Sequence, residues 1–115
     1  MYAENKIAEI EQFAKNVRIP TFNEFASRGF GHLGGSMSMV EIISVLYMDE
    51  LKHNPQEPRW VNRDRLVCSK GHCGPSLYSA LALRGFFPMV MLQTLNQNGT
   101  NLPSHCDMQK TPGID

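Results

Sequence analysis

The chain has 115 residues, enough for one domain, and its 42% hydrophobic share excludes an intrinsically disordered segment. Eleven basic residues balance eleven acidic ones, so no bulk charge draws it to nucleic acid or to an anionic membrane. No apolar run reaches the ~20 residues of a membrane span. The opening MYAENKIAEIEQ lacks the basic and apolar regions of a signal peptide. Three cysteines, none in a CxxC, predict a reducing, cytoplasmic setting.

Ile7, Ile10, Phe13, Ala14 and Val17 have the spacing of an amphipathic helix over residues 3–18. Pro20 is expected to interrupt it, and Thr21 with Glu24 to restart a short helix through a capping box. Gly29 and Gly31 close that piece. A glycine-rich loop follows, Gly31-His32-Leu33-Gly34-Gly35-Ser36. Ser38, three residues before Glu41, predicts a capped helix from about Met39 to Leu51 that is apolar on most sides.

Residues 52–65 are polar with two prolines and read as a connecting loop in which Trp60 packs as an anchor. Leu66-Val67-Cys68 reads as a short buried strand feeding the turn Ser69-Lys70-Gly71-His72. One strand cannot satisfy its own backbone, so it needs partners from the tail, another chain or further sequence. Gly74-Pro75 opens a helix that Arg84-Gly85 closes, and another helix is expected from Pro88 to Asn98-Gly99.

Three of the four histidines sit in glycine- or proline-marked loops: His32 in GHLGGS, His72 in SKGHCG and His105 in PSHCD. A neutral imidazole donates to phosphate or hydroxyl oxygens and moves protons near pH 7. His53 reads as a solvated surface residue. Lys70 is either a phosphate contact or a surface charge. Cys68, His72, Cys73, His105 and Cys106 also form a possible zinc set, though their spacing is not that of the common zinc folds.

The loop from Gly31 to Ser38 resembles the first signature of the transketolase family, GHPGGSxS or GHLGGSxS. The resemblance runs on in register. Asn54-Pro55 through Trp60 to Arg63-Asp64-Arg65 is similar to that family's NPxxPxWxxRDR loop, and residues 66–72 to its strand and SKGH turn. Pro103 to Asp107 resembles its GHPD or GHPE loop, with Ser104 and Cys106 in place of glycine and proline, and Thr111 to Asp115 its TPGxE stretch. The SKGH form most resembles the N-terminal subunit of split bacterial transketolases, truncated.

The resemblance implies an α/β fold: residues 1–115 would be an N-terminal fragment of a thiamine-diphosphate-binding domain, mostly helical with one buried strand. It implies transfer of a two-carbon ketol unit between sugar phosphates, using thiamine diphosphate and Mg²⁺ in the intact enzyme. By position His32 and His105 would be catalytic. His72, Gly71 and Ser69 would face the cofactor, and His32, Lys70 and His105 the substrate. The family's metal-holding GDG motif is missing here, since the only glycines after Gly85 are Gly99 and Gly113. No metal ligand is therefore assigned, and the chain alone is expected to bind no cofactor and to be inactive. The expected partners are a C-terminal transketolase subunit or pyrimidine domain, and a second copy in a homo-oligomer. The alternatives are a truncated or repurposed self-associating fragment and, behind it, the zinc module.

Overall fold

A computed structural model describes residues 3–29 and 31–115. Its first helix, α1, spans Glu4–Arg28. Ile10, Phe13, Ala14, Val17, Thr21, Glu24 and Phe25 are its buried residues, one stripe at helical spacing along most of its length. Gly29, with φ 81°, terminates it in the left-handed conformation, its N–H donating to the Phe25 carbonyl.

Pro20 does not interrupt α1. The proline removes one backbone bond, but the buried stripe continues on both sides of it, and tertiary packing outweighs the local penalty. The capping box expected of Thr21 and Glu24 is also absent. Thr21 Oγ1 donates to the Val17 carbonyl at 2.7 Å and lies 2.9 Å from Ser79 Oγ, while Glu24 points into the core.

A short helix, α2 (Leu33–Met37), carries the glycine-rich loop, and α3 (Val40–Val45) follows. The expected continuation to Leu51 is present as a π turn, Leu46–Glu50, closed by the Leu51 N–H on the Leu46 carbonyl at 2.7 Å. Ser38 does not cap α3. Its hydroxyl donates back to the Gly35 carbonyl and accepts from Lys70 Nζ, both at 2.9 Å. Glu41, freed from the cap, pairs with Arg18 on α1. Burial on more than one side holds only in part: Val40, Ile43 and Tyr47 are buried, but Ile42 is 54% exposed.

Residues 52–65 form the expected loop. Asp64 ties it off at both ends, accepting the Lys52 N–H at its carboxylate and donating its own N–H to the Lys52 carbonyl. Arg63 reaches Asp115 through Nε at 3.0 Å and Nη2 at 2.6 Å.

The strand expected at Leu66-Val67-Cys68 does not form, and no strand is present among the described residues. A strand exists only as a pair, and none of the described backbone pairs with this segment as a strand. The Leu66 N–H goes instead to the Asp115 carboxylate, and Val67 is 73% exposed.

A one-turn 3₁₀ segment, Gly71–Cys73, leads into α4 (Gly74–Leu83), which ends at Arg84 and the left-handed Gly85 as expected. Every α4 residue from Gly74 to Ala82 is buried, so this helix is the centre of the core. Against it lie Val17, Val40, Ile43, Leu102 and Ile114. The helix expected from Pro88 is a 3₁₀ segment, Met89–Thr94, that stops well before Asn98. The Thr94 hydroxyl turns back onto the Met91 carbonyl, while Leu92 and Leu95 still reach the core.

Candidate active site

Three loops converge near the N-terminal end of α4. Gly31 delivers the first: its φ is 147°, and a β-carbon there would overlap the Phe25 ring. Only glycine satisfies both conditions, so the approach of His32 depends on it.

His32 and His72 meet edge to face, ring centroids 5.1 Å apart at an interplanar angle of 63°. Two further glycines make room for the histidines. A β-carbon on Gly35 would stand 2.9 Å from His72 Cδ2, and one on Gly71 would stand 3.2 Å from His105 Nδ1. His32, His72 and His105 therefore occupy one locality although the first and last are 73 positions apart. Lys70 lies beside them, its ammonium on Ser38 Oγ.

The electrostatics favour a neutral His72. Its partial burial, and then the positive charge available on His32, Lys70 and His105, hold its pKa below the ordinary imidazole value. A neutral ring keeps one donor and one acceptor nitrogen, which is what hydrogen bonding to a phosphate or hydroxyl requires.

Of the residues singled out from sequence, the structure brings together His32, Lys70, Gly71, His72 and His105. Ser69, at the start of the same turn, is exposed and shares with Lys70 the lining of a groove of about 210 Å³, beside Met39, Ile42, Leu46, Leu66 and Val67. His53 is not a free surface residue: it stacks on Phe86 at 5.7 Å, and its Nδ1 is 2.9 Å from the Leu51 carbonyl. Among the described residues no three His, Cys, Asp or Glu side chains stand close enough to share a metal ion, so the zinc set finds no support. Trp60 is half-buried in the wall of a cleft of about 690 Å³, with Pro58, Met108 and Pro112.

Two features escaped the reading of the sequence. Glu24 is only 2% exposed. Its Oε2 accepts from Ser79 Oγ at 2.8 Å, its Oε1 has no partner, and burial pushes its pKa up to about 9. The signal was an acidic residue on the apolar stripe of α1. Cys68 and Cys73 stand with their sulfurs 3.0 Å apart. Nothing in their spacing announces that contact.

This helical fold, with its glycine-spaced histidine loops, defines a class. The model of the family described as "Transketolase, thiamine diphosphate binding domain" matches residues 10–115. The chain belongs to that family. It is 51% identical over 107 residues to the 6-deoxy-6-sulfo-D-fructose transketolase subunit SqwG of Clostridium sp. (strain MSTE9), covering 93% of this chain and 39% of that one. It is 36% identical over 106 residues to transketolase 2 of Escherichia coli (strain K12), covering 91% of this chain and 16% of the relative. Among solved structures, transketolase from Leishmania mexicana superposes with a TM-score of 0.86 at 34% identity, over 91% of this chain and 16% of that one. Pichia stipitis transketolase in complex with sedoheptulose 7-phosphate gives 0.84 at 27% identity, over the same shares. The chain thus spans well under half the length of these relatives.

Proposed function

We propose that this chain supplies the histidine-bearing loops of a transketolase-type enzyme that passes a two-carbon ketol unit between sugar phosphates. The observation that carries the reading is the convergence of His32, His72 and His105 across two glycine-made clearances. Thiamine diphosphate, when bound, would supply the nucleophilic carbon and the electron sink for carbon–carbon cleavage. The residues present suit its diphosphate end: a neutral imidazole at His72 and a glycine backbone at Gly71, with Ser69 at the same turn. His32 and His105, both exposed, hold the substrate's hydroxyl and carbonyl oxygens and move a proton there. Lys70 meets substrate negative charge by exchanging its Ser38 contact for it.

Mg²⁺ ligands come from outside this chain in this reading, as does the pyrimidine-binding half of the site. Supporting it is a relative whose printed name calls it a subunit. A C-terminal subunit or pyrimidine domain and a second copy complete the assembly, in the cytoplasm. No helix among the described residues is long and apolar enough to cross a membrane.

The test uses the full protein assembled with its partner. His32→Ala, His72→Ala and His105→Ala each lower ketol transfer at least ~100-fold. Full activity in all three overturns the reading. Calorimetry with thiamine diphosphate and Mg²⁺ on this chain alone shows no tight binding, and tight binding would refute the assignment of the metal ligands elsewhere.

The 51% identical relative favours a second reading of the donor, because its name specifies a sulfonated ketose. Turnover of 6-deoxy-6-sulfofructose above that of fructose 6-phosphate supports it, and the reverse order rejects it.

A further inference from the structure

Cys68 and Cys73 bracket the Ser69–His72 turn. Cys68 is half-buried on the irregular segment before the turn, and Cys73 is fully buried at the end of the 3₁₀ segment after it. Their sulfurs are 3.0 Å apart, about 1 Å more than a disulfide bond length. Both are free thiols, and the Cys68 thiol donates to the Lys70 carbonyl inside the turn at 3.2 Å. The 210 Å³ groove lined by Met39, Ile42, Leu66 and Val67 includes Cys68 and gives a small molecule a way to it. The third cysteine is also near: Cys106 Sγ lies against Gly74, the residue after Cys73, where an added β-carbon would stand 3.3 Å from it.

We propose that Cys68 and Cys73 form a reversible dithiol–disulfide couple, driven by a small-molecule disulfide, that clamps the turn carrying Lys70 and His72. The sequence of steps follows from access. Cys73 has no exposed surface, and burial, first, with the neighbouring Cys68 holds its thiol well above the ordinary range. Cys68 is therefore the entry thiol. Its thiolate attacks one sulfur of the small disulfide, the S–S bond breaks, and one thiol departs. Cys73, as its proton leaves, attacks the Cys68 sulfur of the mixed disulfide and expels the second thiol. The two protein protons end on the two released thiols, and the two electrons reduce the small disulfide. The closed ring holds only the residues from Cys68 to Cys73, so its constraint falls on Lys70, Gly71 and His72. Transient bonds of this kind are the form in which disulfides occur in reducing compartments. The chemistry does not depend on the activity proposed above.

The test treats the reduced full-length protein with glutathione disulfide, caps remaining thiols with N-ethylmaleimide and digests with trypsin without reduction. Trypsin cuts after Lys70, which separates the two cysteines onto peptides 66–70 and 71–84. The expected product is those two peptides joined by one disulfide, fully released by dithiothreitol. Cys106→Ser keeps the product, and Cys73→Ser leaves Cys68 as a mixed disulfide with glutathione. The His72 ring resonances shift as the cross-link forms. The proposal is overturned if wild-type Cys68 stops at the glutathione adduct or links to Cys106. A cross-link that leaves the His72 resonances unmoved refutes the clamp.

Discussion

Gly35 and His72 are so close that a side chain on the glycine would have to push the ring aside: a β-carbon there would lie 2.9 Å from His72 Cδ2 and 3.5 Å from Lys70 Cε. The glycine sits inside α2, where alanine is the better helix former by about 1 kcal/mol. Backbone propensity and site geometry therefore pull in opposite directions. The glycine's presence is explained by the site.

Gly35→Ala separates those two terms. The variant folds with a melting temperature within a few degrees of wild type, because the added helix propensity offsets the displacement of a partly exposed ring. In the assembled enzyme proposed above, turnover should fall by about 10–100-fold, since a shift of order 1 Å in a positioned group has that effect. Paired thermal unfolding and steady-state kinetics check it. A variant with normal turnover would show that His72 need not stand where it does.

The buried Glu24 makes stability depend on pH. Its folded pKa, about 9, lies far above the ordinary 4.5. Between those values the unfolded chain has released the proton and the folded one still holds it. The unfolded state then binds fewer protons, so stability falls as pH rises through this window, by up to about 1.4 kcal/mol per pH unit, and levels off above pH 9. Glu24→Gln keeps the size and the neutral charge and removes the proton. Urea unfolding at pH 6, 7.5 and 9 should show a decline in wild type and a flatter series in the variant. Parallel declines would mean that another group carries the dependence.

Much of this architecture was legible in the sequence, and the failures share a cause. The stripe from Ile10 to Val17 and the Gly74–Gly85 helix were readable because their signals are local and agree with the packing. The strand at Leu66-Val67-Cys68 was misread because a strand is defined by a neighbour, and none is present among the described residues. Ser38 was misread because Lys70, 32 positions away, competes for its hydroxyl. The three histidines were each legible as loop residues through their glycine and proline neighbours. Their convergence followed only from the family resemblance, since no local pattern ties His105 to Gly71.

His72 offers a check on the electrostatics of the site. Its pKa is lowered by partial burial first, then by His32, Lys70 and His105 in that order. Removing a nearby cationic group lets the ring protonate more easily, so its pKa rises in each variant. His32→Gln should raise it more than Lys70→Met. Titration of the His72 ring resonances by NMR reads both shifts directly. In the assembled enzyme the acid limb of the rate profile should move toward higher pH in the same order. A downward shift in Lys70→Met would contradict the placement of the ammonium beside the ring.

Pro20 tests how the long helix is held. A proline within α1 leaves the carbonyl four residues earlier, that of Asn16, without its helical donor and strains the preceding turn. Asn16 is exposed, so water satisfies that carbonyl, and the strain is the larger part of the penalty. Pro20→Ala restores the donor and relieves the turn. It also frees the unfolded chain, which takes back about 0.4–1 kcal/mol. Against a proline penalty of about 3 kcal/mol, the net gain should be about 1–2 kcal/mol, read as a higher urea midpoint at unchanged slope. An unchanged or lower midpoint would mean that the ring's contacts beside Asn23 and Met89, in the small cavity that Glu24 also lines, hold α1 to the 3₁₀ segment Met89–Thr94. In that case the proline would be part of the packing of α1, and its restriction of the backbone would be secondary.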